Sequence, residues 1–564
     1  MIKLKQLLCI IFLTALLPHR FLLAEIENKN LIHAHFPFNK QEAAGLGAIG
    51  ILTAFLCFLW DYTQQTAKER VKQKESRQKE SLFAHVKLNR TVGGQYIFID
   101  DIFKDDCFKK PANYASLNKE IYNRNRIRNS LFWAAFGDGF GNEVEFTHDI
   151  NQIMRKSGYD QDPLNDNYQS LINKNNFINY TDDTRMSLLV IKALLDNNKD
   201  TKNIHIEIAS NFKKDMKNLE GWNAYHRAPG KSTIEVITTL PESSKITVEN
   251  VFLSSEKFDN AKGGGCGSVM HAYPFGYIFD ENQAIELSMQ HSRITHNHPI
   301  AVASCGTLSW IISKLIHQNA SKEDILNHLP NLVDDLEKEC VEKHYSSIKN
   351  TYNYRMKKII ISAIAAANEM KEIREKIWNG DLIAPYQIPF KLLLAKHESQ
   401  EGHTVSQEEI KKYINLNYYP SKYDSCYLIP FHELMKNETF KTKHIQFFPS
   451  AFSKNYTYDT KEFPGWDAAT CLAAAIYNFS LWIPEDHNKI FDQKHTERFL
   501  ANALMSSIIT GGDSDSIAGI TGALCGASFS SDSVPENLKK VIEGSRLIEN
   551  YAQKLSEKSK HINN

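Results

Sequence analysis

The stretch 510–516 (TGGDSDS) carries the residues of this sequence best suited to hold a metal ion. Asp513 and Asp515 stand one residue apart with serine hydroxyls beside them, which groups the oxygen ligands that a hard divalent cation prefers. A calcium loop of the helix–loop–helix class, counted from Asp513, would need glycine and glutamate where the sequence has Ala518 and Leu524. That class is excluded, and a plain solvated acidic turn remains the alternative to a metal site.

The residues after this stretch predict a closely packed helix. Bulky Ile517, Ile520 and Leu524 recur at helical spacing, and small residues such as Gly519 and Gly522 lie beside them. Small side chains let a neighbouring helix approach closely. An acidic loop fixed to such a helix would hold metal ligands in a rigid geometry.

A second acidic pair, Asp182 and Asp183, lies in the motif YTDDT at 180–184. Apolar residues from Met186 to Leu194 follow at the spacing of an amphipathic helix, so the motif starts that helix. Threonine and aspartate are ordinary helix caps, and the helix dipole favours negative charge there. Capping explains one such residue, but two adjacent carboxylates between two hydroxyls exceed what a cap requires.

A third motif, GDGFG at 137–141, follows aromatic residues at helical spacing and precedes Glu145. On a continuous helix Asp138 and Glu145 would be two turns apart and would face the same way. The glycines would thin that helix for close packing. Taken alone the motif is weak, because similar glycine–aspartate patterns occur in ordinary turns.

Two loops and a histidine pair complete the chemistry-bearing residues. The loops are 225–233 (YHRAPGKST) and the glycine-rich 263–270 (GGGCGSVM), whose backbone N–H groups could wrap a phosphate. Neither is a nucleotide P-loop: the second lacks the Gly-Lys-Ser/Thr ending, and the first has Tyr225 where the leading glycine belongs. His296 and His298 could be metal ligands, but a substrate-contacting loop suits them better because the acidic motifs already supply oxygen ligands.

The composition excludes several classes of protein. The chain has 564 residues, a formal net charge of zero and 42% hydrophobic residues, which allows a large core and argues against a nucleic-acid binder. Its nine cysteines form no CxxC pair, which favours a reducing compartment without a disulfide framework or a zinc ribbon.

The N-terminal region predicts a membrane anchor. Residues 1–24 contain a short apolar run of signal-peptide length, and the uncharged run 43–60 is long enough for a marginal transmembrane helix. Six lysines and arginines lie between 68 and 79, so the positive-inside rule places everything after residue 60 in the cytoplasm. The alternative is that 43–60 is a buried helix. Residues 61–125 are predicted to be a charged linker and entry region.

The remainder predicts a mostly helical region from 126 to 554, with an insertion within about 316–463. Only 232–251 shows sustained period-two alternation, the pattern of a strand.

Taken together and in this order, GDGFGNEVEF, YTDDT, GCGSVMHAYPFG, THNHP and GGDSDSIAGITGALCGA resemble the motifs of the ADP-ribosylglycohydrolase family. The resemblance covers most of residues 126–554. It implies an all-α, orthogonally packed multi-helical bundle with two Mg²⁺ ions in a central cleft. It implies a catalytic Glu145, metal ligands at Thr181, Asp182, Asp183, Asp513, Asp515 and Ser516, and ADP-ribose-binding residues Gly230, Gly265, Gly267, Ser268 and His296.

The sequence departs from the family pattern at two of these motifs. Ser516 stands where the family usually has threonine, which keeps the hydroxyl, and His271 stands where an arginine commonly follows the methionine. The function that the resemblance implies is Mg²⁺-dependent hydrolysis of the bond between ADP-ribose and a modified protein side chain or a small acceptor. A non-catalytic ADP-ribose-binding relative and a hydrolase of another N- or O-glycosidic substrate remain the alternatives.

Overall fold

The computed structural model describes residues 88–92, 95–98, 118–145, 178–197, 201–218, 227–256, 264–346, 349–350, 352–378, 465–485, 487, 493–509 and 512–562 of the chain. The predicted signal-like segment 1–24 and membrane helix 43–60 lie outside these residues. So do most of the linker 61–125 and the 379–463 part of the predicted insertion.

The regular secondary structure of the described residues is helical apart from one short hairpin. Strand β1 (Leu88–Val92) pairs antiparallel with β2 (Gln95–Phe98), with Leu88 opposite Phe98. In chain order the helices are α1 (Asn118–Gly141), α2 (Asp182–Asp196), α3 (Ile204–Met216), α4 (Lys231–Thr239), α5 (Leu253–Glu256), α6 (Pro274–Ile278), α7 (Glu281–Thr295), α8 (Pro299–Ser313), α9 (Lys322–His344), α10 (Met356–Trp378), α11 (Ala468–Trp482), α12 (Gln493–Ile509), α13 (Ser514–Ser528), α14 (Glu536–Val541) and α15 (Ser545–Ile562). Short 3₁₀ segments span Thr201–Asn203, Ser243–Lys245 and Cys266–His271, and a π-helical turn, Lys314–Gln318, extends α8.

The prediction of a helical fold is confirmed, and the β1–β2 hairpin is a departure from an all-α chain. The stretch 232–251, whose alternation is the pattern of a strand, does not form a strand. Its first part forms α4, in which Thr233, Val236 and Ile237 are buried. These three positions are spaced three and four residues apart, so they share one helix face, and burying that face outweighs the alternation.

Helices α1 and α13 pack antiparallel through a seam of glycines. A side chain at Gly522 would place its first carbon 2.1 Å from the carbonyl oxygen of Trp133, and one at Gly137 would lie 2.3 Å from that of Ala518. Contacts that short leave no room for any side chain. The two backbones therefore touch, and the close packing predicted from the small residues of 517–527 is confirmed.

The α1–α13 seam fixes how far the two helices are shifted along each other, and so fixes which residues meet at the site. At its far end a side chain at Gly526 would meet the carbonyl of Asn129 at 2.6 Å, and at its near end one at Gly141 would meet the carbonyl of Ser514 at 2.4 Å. The Ser514 hydroxyl donates a hydrogen bond of 2.8 Å to the Gly141 carbonyl. The end of α1 is thus held against the start of α13.

Helix α8 is the most apolar stretch among the described residues and runs through the core. With its π-helical turn, Pro299–Gln318 is long and apolar enough to cross a membrane, but 94% of the apolar window is buried inside the folded chain. That burial is what a core helix shows.

Candidate active site

Three carboxylates from two distant segments meet at the α1–α13 junction. Oxygen atoms of Glu145, Asp513 and Asp515 all lie within 4.8 Å of one another, so a single ion could contact all three. Asp513 and Asp515 stand at the start of α13, where Gly512 turns the chain with a positive φ of 71°. The structure thus joins the predicted catalytic glutamate to one predicted acidic pair.

The second acidic pair faces the same place. Asp182 and Asp183 begin α2 and are 5% and 4% exposed. Burial raises the pKa of both carboxyls well above the usual range, and the charges of Asp138 and Asp513 raise it further. The Ser516 hydroxyl acts on the Asp183 carboxyl in the opposite sense and lowers its pKa, so the two acidic motifs lie close together.

Asp138 organises the start of α2, a role that the sequence did not reveal. Its carboxylate is fully buried and accepts hydrogen bonds from the Thr181 backbone N–H (2.9 Å), the Thr181 hydroxyl (2.7 Å) and the Thr184 N–H (2.9 Å). Its position in the GDGFG motif is the sequence feature that could have indicated this role. The hydroxyl of Thr181, a predicted metal ligand, therefore donates its hydrogen bond to Asp138 and accepts one from the Asp183 N–H, and its oxygen keeps one lone pair for a cation.

Asp138 and Glu145 do not share a face of a continuous helix, so that sequence-based expectation is wrong. Helix α1 ends at Gly141, and the chain turns through hydrogen bonds from Asn142 N–H to the Asp138 carbonyl and from Val144 N–H to the Gly141 carbonyl, each 3.0 Å. The glycine seam explains the ending, because α13 lies against α1 at this point. Glu145 consequently comes to the cluster from a turn.

Arg227 supports the second acidic pair from the other side. Its carbonyl accepts a 2.9 Å hydrogen bond from the Asp182 N–H, and its guanidinium stacks 4.4 Å from the Tyr180 ring centre. The guanidinium also donates to the Tyr180 carbonyl and forms a buried ion pair with Glu543. The YTDDT motif is therefore held between Asp138 and Arg227. This supporting role was predicted from the sequence for neither residue.

The electrostatics of the cluster suit a hard cation. Burial, followed by the charges of Asp513, Asp182 and Asp138, raises the pKa of Glu145 to about 9. Burial also raises the pKa of Asp515 well above its usual range. The Asp183 Oδ2 atom is buried and has no hydrogen-bond partner among the described residues. Crowded carboxylates with an unpaired oxygen are what a divalent ion would neutralise, so the residues present fit such an ion.

The glycine-rich loop lies next to the cluster. Gly265 pairs in a β-bridge with Asp467, ahead of α11. A side chain at Gly267 would place its first carbon 2.7 Å from the His296 imidazole, so the imidazole would have to shift to admit it. His296 is 3% exposed, and Gly230 has open space around its α-carbon.

The side chains of Ser268 and His271, in the 3₁₀ segment Cys266–His271 of the glycine-rich loop, point into the protein interior. The Ser268 side chain is fully buried and hydrogen-bonds the Ser292 hydroxyl at 2.8 Å, so its backbone is the part that remains for a ligand. His271, which stands where the family has arginine, is also fully buried, with its Nδ1 2.7 Å from Nε2 of His291.

Cys266 contacts the acidic cluster, which the sequence did not predict. Its thiol donates to the Asp513 carboxylate at 2.9 Å. The interaction with Cys471, followed by burial and the charge of Asp513, raises the pKa of the Cys266 thiol well above its usual range. In the absence of a metal Cys266 is therefore a neutral donor that holds Asp513.

Comparison with known proteins finds similarity to a family model, to a curated protein and to solved structures. A family model described as ADP-ribosylglycohydrolase matches residues 120–417 and 423–563. The ADP-ribosylhydrolase ARH1 of Dictyostelium discoideum is 23% identical over 447 residues, which cover 77% of this chain and 94% of that protein. Among solved structures, an ADP-ribosylglycohydrolase-related protein complex is 15% identical with a TM-score of 0.39, covering 78% of this chain and 99% of that one.

Proposed function

The chain belongs to the ADP-ribosylglycohydrolase family and is a glycosyl hydrolase, and from that premise we propose that it cleaves ADP-ribose from a modified protein side chain or a small acceptor with the help of Mg²⁺. The observation that carries this proposal is the meeting of Glu145 with Asp513 and Asp515, beside Asp182 and Asp183. Carboxylates held this close repel one another at neutral pH unless a cation offsets their charge.

The proposed cation centre holds two Mg²⁺ ions. Hydroxyl and carboxylate oxygens from the starts of α2 and α13 supply the hard ligands. The ligand set is Thr181, Asp182, Asp183, Asp513, Asp515 and Ser516. When bound, the ions would stabilise negative charge and orient the ribose hydroxyls and the attacking water.

Glu145 is the proposed acid/base residue. Its carboxyl lies at the edge of the cluster on a turn, half-buried, with a pKa raised to about 9 when no cation offsets the neighbouring charges. Positive charge nearby would lower that pKa toward neutrality, where a carboxylate oxygen can exchange a proton with water or the leaving group. Attack on the anomeric carbon then proceeds through a transition state with oxocarbenium character.

The glycine-rich loop is the proposed ADP-ribose subsite. Backbone N–H groups near Gly265, Gly267 and Ser268 can donate to the pyrophosphate, whose negative charge a chain of zero net charge must meet locally. His296 packs against Gly267 and would shape this subsite, and Gly230, the further proposed ligand-binding residue, has open space around its α-carbon.

The protein is proposed to be anchored in a membrane by its N-terminal segment, with the catalytic region on the cytoplasmic side. Support comes from the uncharged run 43–60 and from the basic residues between 68 and 79 that follow it.

A hydrolysis assay tests the function. Purified full-length chain is incubated with ADP-ribosyl-arginine and ADP-ribosyl-serine peptides, with Mg²⁺ or with excess EDTA, and released ADP-ribose is measured. Release that requires Mg²⁺ supports the proposal. Binding of ADP-ribose without release indicates a non-catalytic relative, and release from other N- or O-glycosides alone indicates a different substrate; either result overturns the proposal.

A further inference from the structure

The glycine-rich loop is tied to the start of α11 by its main chain. Gly265 and Asp467 pair in an antiparallel β-bridge. The Cys266 N–H donates to the Trp466 carbonyl at 3.1 Å, and a matching bond of 3.0 Å runs from the Ala468 N–H back to the loop. Because two backbone hydrogen bonds set the position of the loop, a contact that fixes Asp467 also fixes the proposed ADP-ribose subsite.

The two carboxylate oxygens of Asp467 have different partners. Oδ1 accepts from the Ala469 and Thr470 N–H groups at 3.1 and 3.2 Å and so caps α11, while Oδ2 accepts from the Arg355 guanidinium. Both members of this ion pair are nearly enclosed, with 5% of the Asp467 side chain and 11% of the Arg355 side chain exposed. The cap belongs to α11 itself, and the ion pair ties α11 to another segment.

A buried glutamate fixes the backbone from which Arg355 extends. Glu337, in α9, is fully buried. Its carboxylate accepts from the N–H groups of Arg355 and Met356 at 3.2 and 3.1 Å and from the Tyr352 hydroxyl at 3.0 Å. These bonds hold the start of α10 against α9, so the guanidinium reaches Asp467 from a fixed point.

The ion pair also lies near the histidine loop, which carries His296 and His298. The His298 ring accepts from the Ile300 N–H at 3.2 Å and caps α8. Burial lowers the pKa of His298 to about 4, while the charge of Asp467 raises it and that of Arg355 lowers it, so the ring lies near both partners. Both loops of the proposed subsite therefore adjoin one buried ion pair.

We propose that Arg355 is a positioning residue for substrate binding: it holds Asp467, and through the β-bridge it holds the glycine-rich loop in the conformation that receives the anionic part of the substrate. This inference rests on the proposed function, which assigns the loop to the pyrophosphate. Neither residue belongs to the five motifs that resemble the family, and Arg355 lies in the predicted insertion 316–463. The first part of that insertion thus contributes to the site.

The arrangement predicts which kinetic constant Arg355 affects. Its contacts lead to the glycine-rich loop, whereas Glu145 comes from the turn after α1 and the proposed metal ligands stand at the starts of α2 and α13. Loss of the Arg355 contact should weaken substrate and transition state alike, which raises KM and leaves kcat nearly unchanged.

Hydrogen exchange followed by mass spectrometry tests the positioning without any substrate. In Arg355→Gln, the Cys266 and Ala468 amides that donate the bridge hydrogen bonds should exchange roughly 2–30-fold faster, because local opening becomes easier. Arg128→Gln is the matched control. Arg128 is similarly enclosed, with 10% of its side chain exposed, and pairs with Glu549 of α15, so its replacement should leave exchange in the loop unchanged.

Two further variants test the ion pair itself. Asp467→Asn keeps a side chain that caps helices but removes the charge, so it should reproduce the faster exchange of Arg355→Gln, and the double variant should be no worse than either single one. Arg355→Lys should recover part of the loss, because an ammonium group can still donate to one carboxylate oxygen.

Substrate binding is then measured by calorimetry with ADP-ribose and by steady-state hydrolysis. Arg355→Gln should raise both Kd and KM by roughly 2–30-fold, the range of effects passed through an intermediate residue, while kcat stays within about twofold. Arg128→Gln should change none of the three constants.

The outcomes separate this inference from the proposed function. Unchanged exchange in both Arg355→Gln and Asp467→Asn, or equal acceleration in Arg128→Gln, overturns the positioning role whatever the chain binds. A fall in kcat with an unaltered Kd for ADP-ribose also overturns it, since that pattern belongs to a residue of the chemical step. If exchange responds as expected but the wild type does not bind ADP-ribose, the proposed function fails and the holding of the loop by Arg355 stands.

Discussion

At the scale of single residues, Glu145 differs from the other carboxylates of the cluster because it comes from a turn and is only half-buried. A group in that position can reach both the cluster and an incoming substrate. The aspartates at the helix starts are almost enclosed and suit a fixed role as ligands.

We expect Glu145→Gln to keep ADP-ribose binding while turnover falls by roughly 10²–10⁴-fold, because the amide fills the same space but cannot exchange a proton. Calorimetric binding and steady-state hydrolysis measure the two quantities. Glu143→Gln is the control: Glu143 lies two residues away but is exposed, and its replacement should change neither. Loss of binding in proportion to turnover would mark Glu145 as structural.

Asp515→Ala removes a ligand and also one of the charges that repel each other. We expect the variant to fold, to lose hydrolysis, and to lose most of the Mg²⁺-dependent rise in melting temperature. In the wild type that rise reflects mass action, worth about 2.7 kcal/mol when Mg²⁺ is at 100 times its dissociation constant. Thermal melts across a Mg²⁺ titration measure it, with the exposed surface variant Asp196→Ala as control. An undiminished Mg²⁺ response in Asp515→Ala contradicts the ligand assignment.

At the scale of elements, the glycine seam between α1 and α13 sets the distances within the site. Gly522 and Gly519 offer a matched pair in one helix. A methyl group at Gly522 would lie 2.1 Å from the Trp133 carbonyl oxygen, whereas one at Gly519 would meet nothing closer than 3.6 Å.

We expect Gly522→Ala to destabilise the fold by about 1–3 kcal/mol, because α1 and α13 must separate. The molecules that still fold should bind Mg²⁺ more weakly than the wild type. Gly519→Ala should be neutral or stabilising by up to about 1 kcal/mol, because alanine favours the helix and fits the space. Denaturant unfolding with and without Mg²⁺ compares the two. Equal effects at both positions would mean that the helices are not in backbone contact.

The seam also shows what could be predicted from the sequence. The small face of 517–527 indicated a closely packed helix, and the family motifs indicated which acidic residues converge. The partner helix and its register could not be predicted, since small residues specify close approach but not to which helix. Asp138, Arg227 and Cys266 were missed for a related reason: each acts through a partner at least 43 positions away.

At the scale of the whole molecule, buried charge predicts how stability depends on pH and cations. Glu145 and the buried aspartates have pKa values raised on folding, so the native state holds their protons more tightly than the unfolded state. Their contribution to stability is complete below about pH 4 and is lost as the pH rises through the native values, about 9 for Glu145.

Between about pH 7 and about pH 9, the melting temperature in EDTA should therefore fall more steeply than in saturating Mg²⁺. Buried histidines such as His205 and His296, whose pKa values burial lowers to about 4, titrate below this window and do not interfere. Differential scanning fluorimetry in both media measures the slopes. Parallel slopes would mean that the carboxylates do not share a cation, and Asp515→Ala should reduce the difference.

The proposed membrane topology has its own test. Because the basic residues between 68 and 79 follow the uncharged run 43–60, protease added outside intact cells should leave the region after residue 60 uncut. Immunoblotting for the catalytic region, before and after detergent permeabilisation, measures protection. Digestion in intact cells, or full recovery of the intact chain without detergent, contradicts the anchor.

The glycine seam also has a consequence for biosynthesis. Gly141 and Ser514, which touch across it, are 373 positions apart in the chain. At about 5–20 residues per second, a ribosome needs roughly 20–75 s to make the intervening segment. During that interval α1 has emerged but its glycine face has no partner, and Asp513 and Asp515 do not yet exist. The nascent protein therefore cannot assemble its proposed cation centre until α13 has been made, and the glycine face of α1 stays without this partner until then.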